Sequence, residues 1–171
     1  AVSWTASSSP TTLSLNADRD VNVNAAVTAV TGNFEVCCGR DVNLNAAVTT
    51  TNGSMLLNAG RNINMNAAVT TTDGNITMCA AENITIADQI TLTRGSSIPA
   101  QSLGLPLGLV LNAGYGGTGP GTAGGTLIFA PLSPDAVVTG PNAPVAVTPY
   151  TAYLRRPEQA RSDDSGSGRQ N

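Results

Sequence analysis

The side chains of this chain that could do acid, base or nucleophilic chemistry are few: three cysteines, eleven acids and eight arginines, with no lysine and no histidine. Cleavage of a polysaccharide over a groove would need clustered acids or a basic residue able to take a proton. Asp18, Asp20 and Asp41 instead lie in turn sequences beside Arg19, Arg40 and Arg61, so no catalytic residue is assigned and no enzyme is expected. With Cys37, Cys38 and Cys79 as the only thiols and no histidine, a zinc site is disfavoured. Calcium lacks an acidic loop or a Gly-Gly-x-Gly-x-Asp repeat, so neither a metal nor a cofactor is expected. A net charge of −3 is too small to hold nucleic acid. The longest apolar stretch, Ser102 to Gly114, is too short for a bilayer and is broken by Gly104, Pro106 and Gly108.

What remains is Asn, Thr, Gly and evenly spaced aliphatic residues, and these repeat. Four segments begin at Thr11, Gly32, Gly53 and Gly74, each 21 residues after the last and in register without a gap. Apolar columns run through Leu13, Phe34, Met55 and Ile76, and through Leu15, Val36, Leu57 and Met78. After a break at Asp18, Gly39, Gly60 and Ala81 they resume at Val21, Val42, Ile63 and Ile84, then at Val23, Leu44, Met65 and Ile86, and a last column is Val27, Val48, Val69 and Ile90. Alternation with polar residues gives strands with one buried face. Turn chemistry falls between them, at Gly-Arg-Asp and at Asn52-Gly53 or Asp73-Gly74. A unit this short cannot close a core alone. Neighbouring units must stack with strands about 4.8 Å apart, which predicts an all-β, parallel β-solenoid with 21-residue coils.

Stacking turns single residues into ladders, and three ladders are candidate surfaces. Thr28, Thr49, Thr70 and Thr91, with Thr51, Thr72 and Thr93 two residues on, should face outward as Thr-x-Thr rows similar to those of ice-binding surfaces, or could meet a glycan. Exposed β-branched Thr is also a favoured strand residue, and Ala29 and Val30 interrupt the first row. Arg19, Arg40 and Arg61 form a basic column that could meet acidic sugars, although neighbouring acids neutralise it and Glu82 takes its fourth place. Asn22, Asn43 and Asn64, and Asn24, Asn45 and Asn66, could bond glycan hydroxyls or one another. Cys37 and Cys79 share a column two coils apart, about 9.6 Å by strand spacing and beyond the roughly 7 Å reach of a disulfide. All three thiols are therefore expected to be free, with an intermolecular bridge as the other reading.

Four regions follow: a lead-in or cap strand over 1–10, the four coils over 11–94, a Gly/Pro-rich irregular continuation of the solenoid over 95–148, and a disordered polar tail over 149–171. Within the third, "LVLNAG" (Leu109 to Gly114) echoes "MLLNAG" (Met55 to Gly60), so the stack is expected to resume there. The opening "AVSWTASSSP" has neither the basic start nor the apolar run of a signal peptide, which puts any targeting signal outside this sequence.

With "VSWTA", the iterated "LNAGRxINxNAAVTTTxG" sentence, and "NAGYGGTGPGTAGGTLIFAP" followed by "VTGPNAPV" in view, the chain resembles the β-helical regions of filamentous haemagglutinin-like adhesins, exoproteins of Gram-negative two-partner secretion. The resemblance runs from about Val2 to Val147 and implies a right-handed β-helix that is secreted or carried on the cell surface. It implies a shaft or display surface for attachment to a host or cell-surface glycan or protein receptor, with no catalytic residues to carry over. The family's N-terminal secretion domain is not within this sequence, and the family's pattern is left after Val147, so a fragment, a truncated gene product or a short relative with another role is expected. Two other uses are expectations from the residues alone: a fibre subunit that self-associates through its solenoid ends, and an ice- or glycan-binding module using the Thr ladder.

Overall fold

A computed structural model describes residues 1–6, 11–93, 108–115 and 125–129, together with the backbone of 137–139 and 145–149. Most of the expected irregular continuation over 95–148 lies outside the described residues, as does the expected tail over 149–171 apart from Pro149, which ends a strand instead of opening a disordered tail.

Each coil contributes three strands, and equivalent strands stack into three parallel sheets. The first sheet contains β1 (Val2–Thr5), β4 (Val27–Val30), β7 (Val48–Thr51), β10 (Val69–Thr72), β13 (Ile90–Thr93) and β16 (Val137–Thr139) in that order. The second contains β2 (Thr11–Ala17), β5 (Gly32–Cys38), β8 (Met55–Ala59), β11 (Ile76–Ala80), β14 (Leu109–Ala113) and β17 (Val145–Pro149). The third contains β3 (Val21–Val23), β6 (Val42–Leu44), β9 (Ile63–Met65), β12 (Ile84–Ile86) and β15 (Leu127–Phe129). The pairing follows the 21-residue register of the sequence: Val42 lies opposite Ile63, Phe34 opposite Met55 and Val48 opposite Val69. The stack resumes at Leu109, which pairs with Ile76 after a longer step through residues outside the description.

The core is the space enclosed by the three sheets. Phe34, Val36, Val42, Val48, Leu57, Ile63, Met65 and Val69 are all fully buried, and their columns continue through Ile76, Met78, Ile84, Ile86 and Ile90. Burial of this kind stabilises by about 1.5–3 kcal/mol for each large aliphatic side chain. In the first coil the same columns are less covered: Leu13, Leu15 and Val21 are only partly buried against the cluster. Trp4, from the lead-in strand β1, packs against the core, and β1 itself joins the first sheet as its terminal strand with Val2 opposite Val27.

Two corners limit what the sequence can use. At the corner between the first and second sheets, Thr31, Asn52 and Asp73 have φ of 54°, 50° and 52°. Asn and Asp tolerate this left-handed conformation through short polar side chains. The Gly after each is required for a different reason, close approach. A Cβ on Gly53 would stand 1.9 Å from the carbonyl oxygen of Gly32, and one on Gly74 equally near that of Gly53. At the next corner a Cβ on Gly60 would meet the Gly39 carbonyl at 2.3 Å. Glycine is the rule at these positions because backbone stacks directly on backbone.

Candidate functional site

Most polar columns are consumed by contacts between coils. On the third sheet Asn43 donates its side-chain amide to Asn22 at 2.9 Å, and Asn64 donates to Asn43 at 2.8 Å. Just past that strand Asn45 donates to Asn24, and Asn66 to Asn45, each at 2.9 Å. Both ladders run one way, with each amide reaching back to the coil before it. An Asn bonded on both sides has less to offer a glycan, so these columns act mainly as coil-to-coil fasteners.

The basic column is engaged in the same way. Arg40 binds the carboxylate of Asp20 through two nitrogens, Nε at 2.7 Å and Nη2, and Arg61 binds Asp41 through Nε at 2.8 Å and Nη2. These forked pairs fit guanidinium to carboxylate geometry. The acid is one coil earlier, not the acid beside the Arg in its own turn. Each carboxylate also accepts backbone N–H groups of the next coil, Asp41 onto Asp20 and Asn62 onto Asp41, both at 3.2 Å. The Arg40 guanidinium holds the Asp20 carboxyl down at about 2, and Arg61 likewise lowers Asp41. Of the three arginines of this column, Arg19 takes part in neither of the ion pairs found among the described residues.

The three thiols are free. Asn58 stands between Cys37 and Cys79 in their column, opposite each of them, which fixes the two-coil separation. Cys37 is exposed, while Cys79 is half-buried and accepts the Asn112 amide at 3.6 Å. Cys38 points inward, and burial pushes its thiol up, which keeps it protonated and a weak nucleophile. Cys37 and Cys38 help line a shallow depression with Asn16, Ala17, Asp18 and Gly39. Among the described residues no group of three or more His, Cys, Asp or Glu is placed to hold a metal ion.

No family model matches the chain, and no curated protein or solved structure matches it either. The site must therefore be read from its own geometry. The outward columns of the first sheet differ from all of these. Thr49 lies opposite Thr28 and Thr70, and Thr91 lies opposite Thr70; beside them Thr51 lies opposite Val30 and Thr72, and Thr93 opposite Thr72. Ser3 and Thr5 extend the two columns onto β1. Thr28 and Thr93 are exposed, and Thr49, Thr51, Thr70, Thr72 and Thr91 are half-exposed.

The middle threonines are not part of this face, as alternation from the inward Val48 and Val69 implies. Thr50 and Thr71 point inward and are fully buried. The Thr71 hydroxyl donates to the Gly53 carbonyl at 2.9 Å, and the Thr50 hydroxyl lies 2.8 Å from both that carbonyl and Thr71 Oγ1. A second hidden column, Asn33, Ser54 and Asn75, uses side chains to accept the backbone N–H of Ser54, Asn75 and Gly108 at 2.9 Å each. The signal available was the polar residue that always follows the corner Gly. Burial without a partner is costly for such groups, so a polar residue kept at a buried column position implies a backbone donor to satisfy.

Proposed function

We propose that this chain is a non-catalytic shaft or display segment of an adhesin of the filamentous haemagglutinin type, carried outside a Gram-negative cell. The observation that supports it is the use of polar chemistry. Asn22 to Asn66, Asp20, Asp41, Arg40 and Arg61 are all turned to fastening one coil to the next. Such a stack resists extension because load along its axis is shared by three parallel ladders. The adhesin assignment rests on the sequence resemblance, and receptor binding and export follow from it as parts of the same proposal.

Pulling single molecules from both ends tests the mechanical part. Coil-by-coil rupture is expected, with contour-length gains of about 70 Å for each 21-residue unit, at about 3.4 Å per extended residue. Continuous extension at low force with no steps would reject the shaft. Binding of the labelled chain to a glycan array or to cultured cells tests display. A null result there leaves a shaft without a receptor face.

A second reading is favoured by one observation, the partly buried Leu13, Leu15 and Val21 of the first coil. Unpaired strand edges beside apolar residues invite strand addition, which fits a self-assembling fibre subunit. Electron microscopy of the purified chain separates the readings: long filaments support the fibre, and monodisperse particles at all concentrations exclude it.

A further inference from the structure

The outward face of the first sheet is a regular polar surface, and among the described residues its Thr28, Thr49, Thr51, Thr70, Thr72 and Thr91 take no part in the Asn ladders or the ion pairs. Its positions from β1 to β13 are Ser3, Thr28, Thr49, Thr70 and Thr91 in one column and Thr5, Val30, Thr51, Thr72 and Thr93 in the other. Neither column contains a charged or aromatic residue. Trp4, the nearby indole, belongs to the inward column and packs on the core, so the face offers a sugar ring nothing to stack on. The ion pairs and the Asn22, Asn43 and Asn64 ladder lie outside the first sheet, and the Asn24, Asn45 and Asn66 ladder stands at the corner that leads into it. A regular, neutral lattice of hydroxyls and methyls remains.

The spacing of that lattice points to its ligand. Parallel pairing repeats each hydroxyl about every 4.8 Å up the stack, and alternation repeats it about every 6.6 Å along a strand. In a tetrahedral water network with O···O of about 2.75 Å, next-nearest oxygens lie about 4.5 Å apart, and puckered layers repeat about every 7.3 Å, eight-thirds of the bond. The mismatch of about 0.3 Å per rung accumulates to about 0.9 Å over the three steps from Thr28 to Thr91, well under one hydrogen-bond length. Along the strand the mismatch of about 0.7 Å is crossed only once, because there are two columns. Centred on the middle of the face, these mismatches leave each hydroxyl within about 0.6 Å of a lattice position.

We infer that the Thr49, Thr51, Thr70 and Thr72 face, extended by Thr28 and Thr91, binds the surface of ice. The hydroxyls replace lattice waters, and the methyls between them order the remainder. A charged side chain on this face would hold its own hydration shell and separate the two lattices. The inference is independent of the shaft proposal, which concerns force along the stack and not this surface.

The test is thermal hysteresis and ice-recrystallisation inhibition by the full chain, beside Thr70→Lys, Thr49→Lys and, as a control on another face, Asn58→Lys. The parent is expected to shape ice and show hysteresis; the two Thr variants lose both, and Asn58→Lys retains them. Absence of hysteresis and of recrystallisation inhibition in a folded parent overturns the inference. So does activity that survives Thr70→Lys or disappears with Asn58→Lys while circular dichroism reports an intact fold. Should a Lys variant fail to fold, the double variant Thr70→Ser, Thr72→Ser removes the two methyls without adding charge. It is expected to weaken activity at unchanged melting temperature, and unchanged activity would again overturn the assignment.

Discussion

A Cβ at Gly53 would stand 1.9 Å from the Gly32 carbonyl oxygen, and neither backbone can move without breaking its ladder. Gly53→Ala is therefore expected to cost about 3 kcal/mol in urea unfolding, the upper end of ordinary overpacking. Asn52→Gly should change stability by less than about 1 kcal/mol, because Asn52 already has a left-handed φ that glycine adopts freely. Equal effects at the two positions would show that conformation, not close approach, selects the glycine. At the same scale, Asp20 titrates at about 2 in the fold against 3.8 ordinarily, chiefly because Arg40 bonds to it. The folded form holds the proton less tightly than the unfolded form. This contribution is thus complete above about pH 4 and is lost as pH falls through about 2. Melting temperature should drop over that window at low salt, and Asp20→Asn with Asp41→Asn should flatten the profile. An unaltered profile in the double variant would remove these pairs from the acid response.

At the scale of the strand, two kinds of stabilisation can be compared between β6 and β8. Asn43 in β6 donates to Asn22 and accepts from Asn64, so Asn43→Ala removes two amide bonds at a partly exposed site. With net values of about 0.5–1.5 kcal/mol per bond and solvent as a competitor, a loss of about 1 kcal/mol is expected. Leu57 in β8 is fully buried between Val36 and Met78 of the adjacent coils, and Leu57→Ala should cost about 2–5 kcal/mol through the lost transfer and the cavity. Urea titration of both variants checks the order, and a larger loss for Asn43→Ala would make the ladders, not the core, the main source of stability. The strands themselves were legible because alternation and the 21-residue period coincide. The partners of the inward Thr50 and Thr71 were not, since alternation sets the face of a residue but not that both hydroxyls meet the Gly53 carbonyl.

Across the whole stack each coil touches only its neighbours, so stability is a sum of coil and interface contributions. The first coil has one described neighbour on the second and third sheets, and Leu13, Leu15 and Val21 are correspondingly less buried than Met55, Leu57 and Ile63. Amide exchange is expected to be faster in β2 and β3 than in β8 and β9, with intermediate values in β5 and β6. Uniform protection along the stack would mean that the chain opens as one unit and the coil-by-coil description fails. The candidate surface was only half legible at this scale. Its columns could be written down from the sequence, but not that Thr28, Thr49, Thr51, Thr70, Thr72 and Thr91 stay out of the Asn ladders and ion pairs that fasten the other faces.

The sequence by itself determined the coil length, the in-facing columns and the corner glycines, because a parallel stack repeats every constraint at the same place in each coil. It could not determine which polar groups meet. Arg40 reaches Asp20 and not Asp41, and Asn33, Ser54 and Asn75 turn inward to accept backbone N–H groups. Those choices depend on the angle at each corner and the direction in which one coil overhangs the next. Only the tertiary structure decides them, because hydrogen bonds are short and directional whereas apolar burial requires only the correct face.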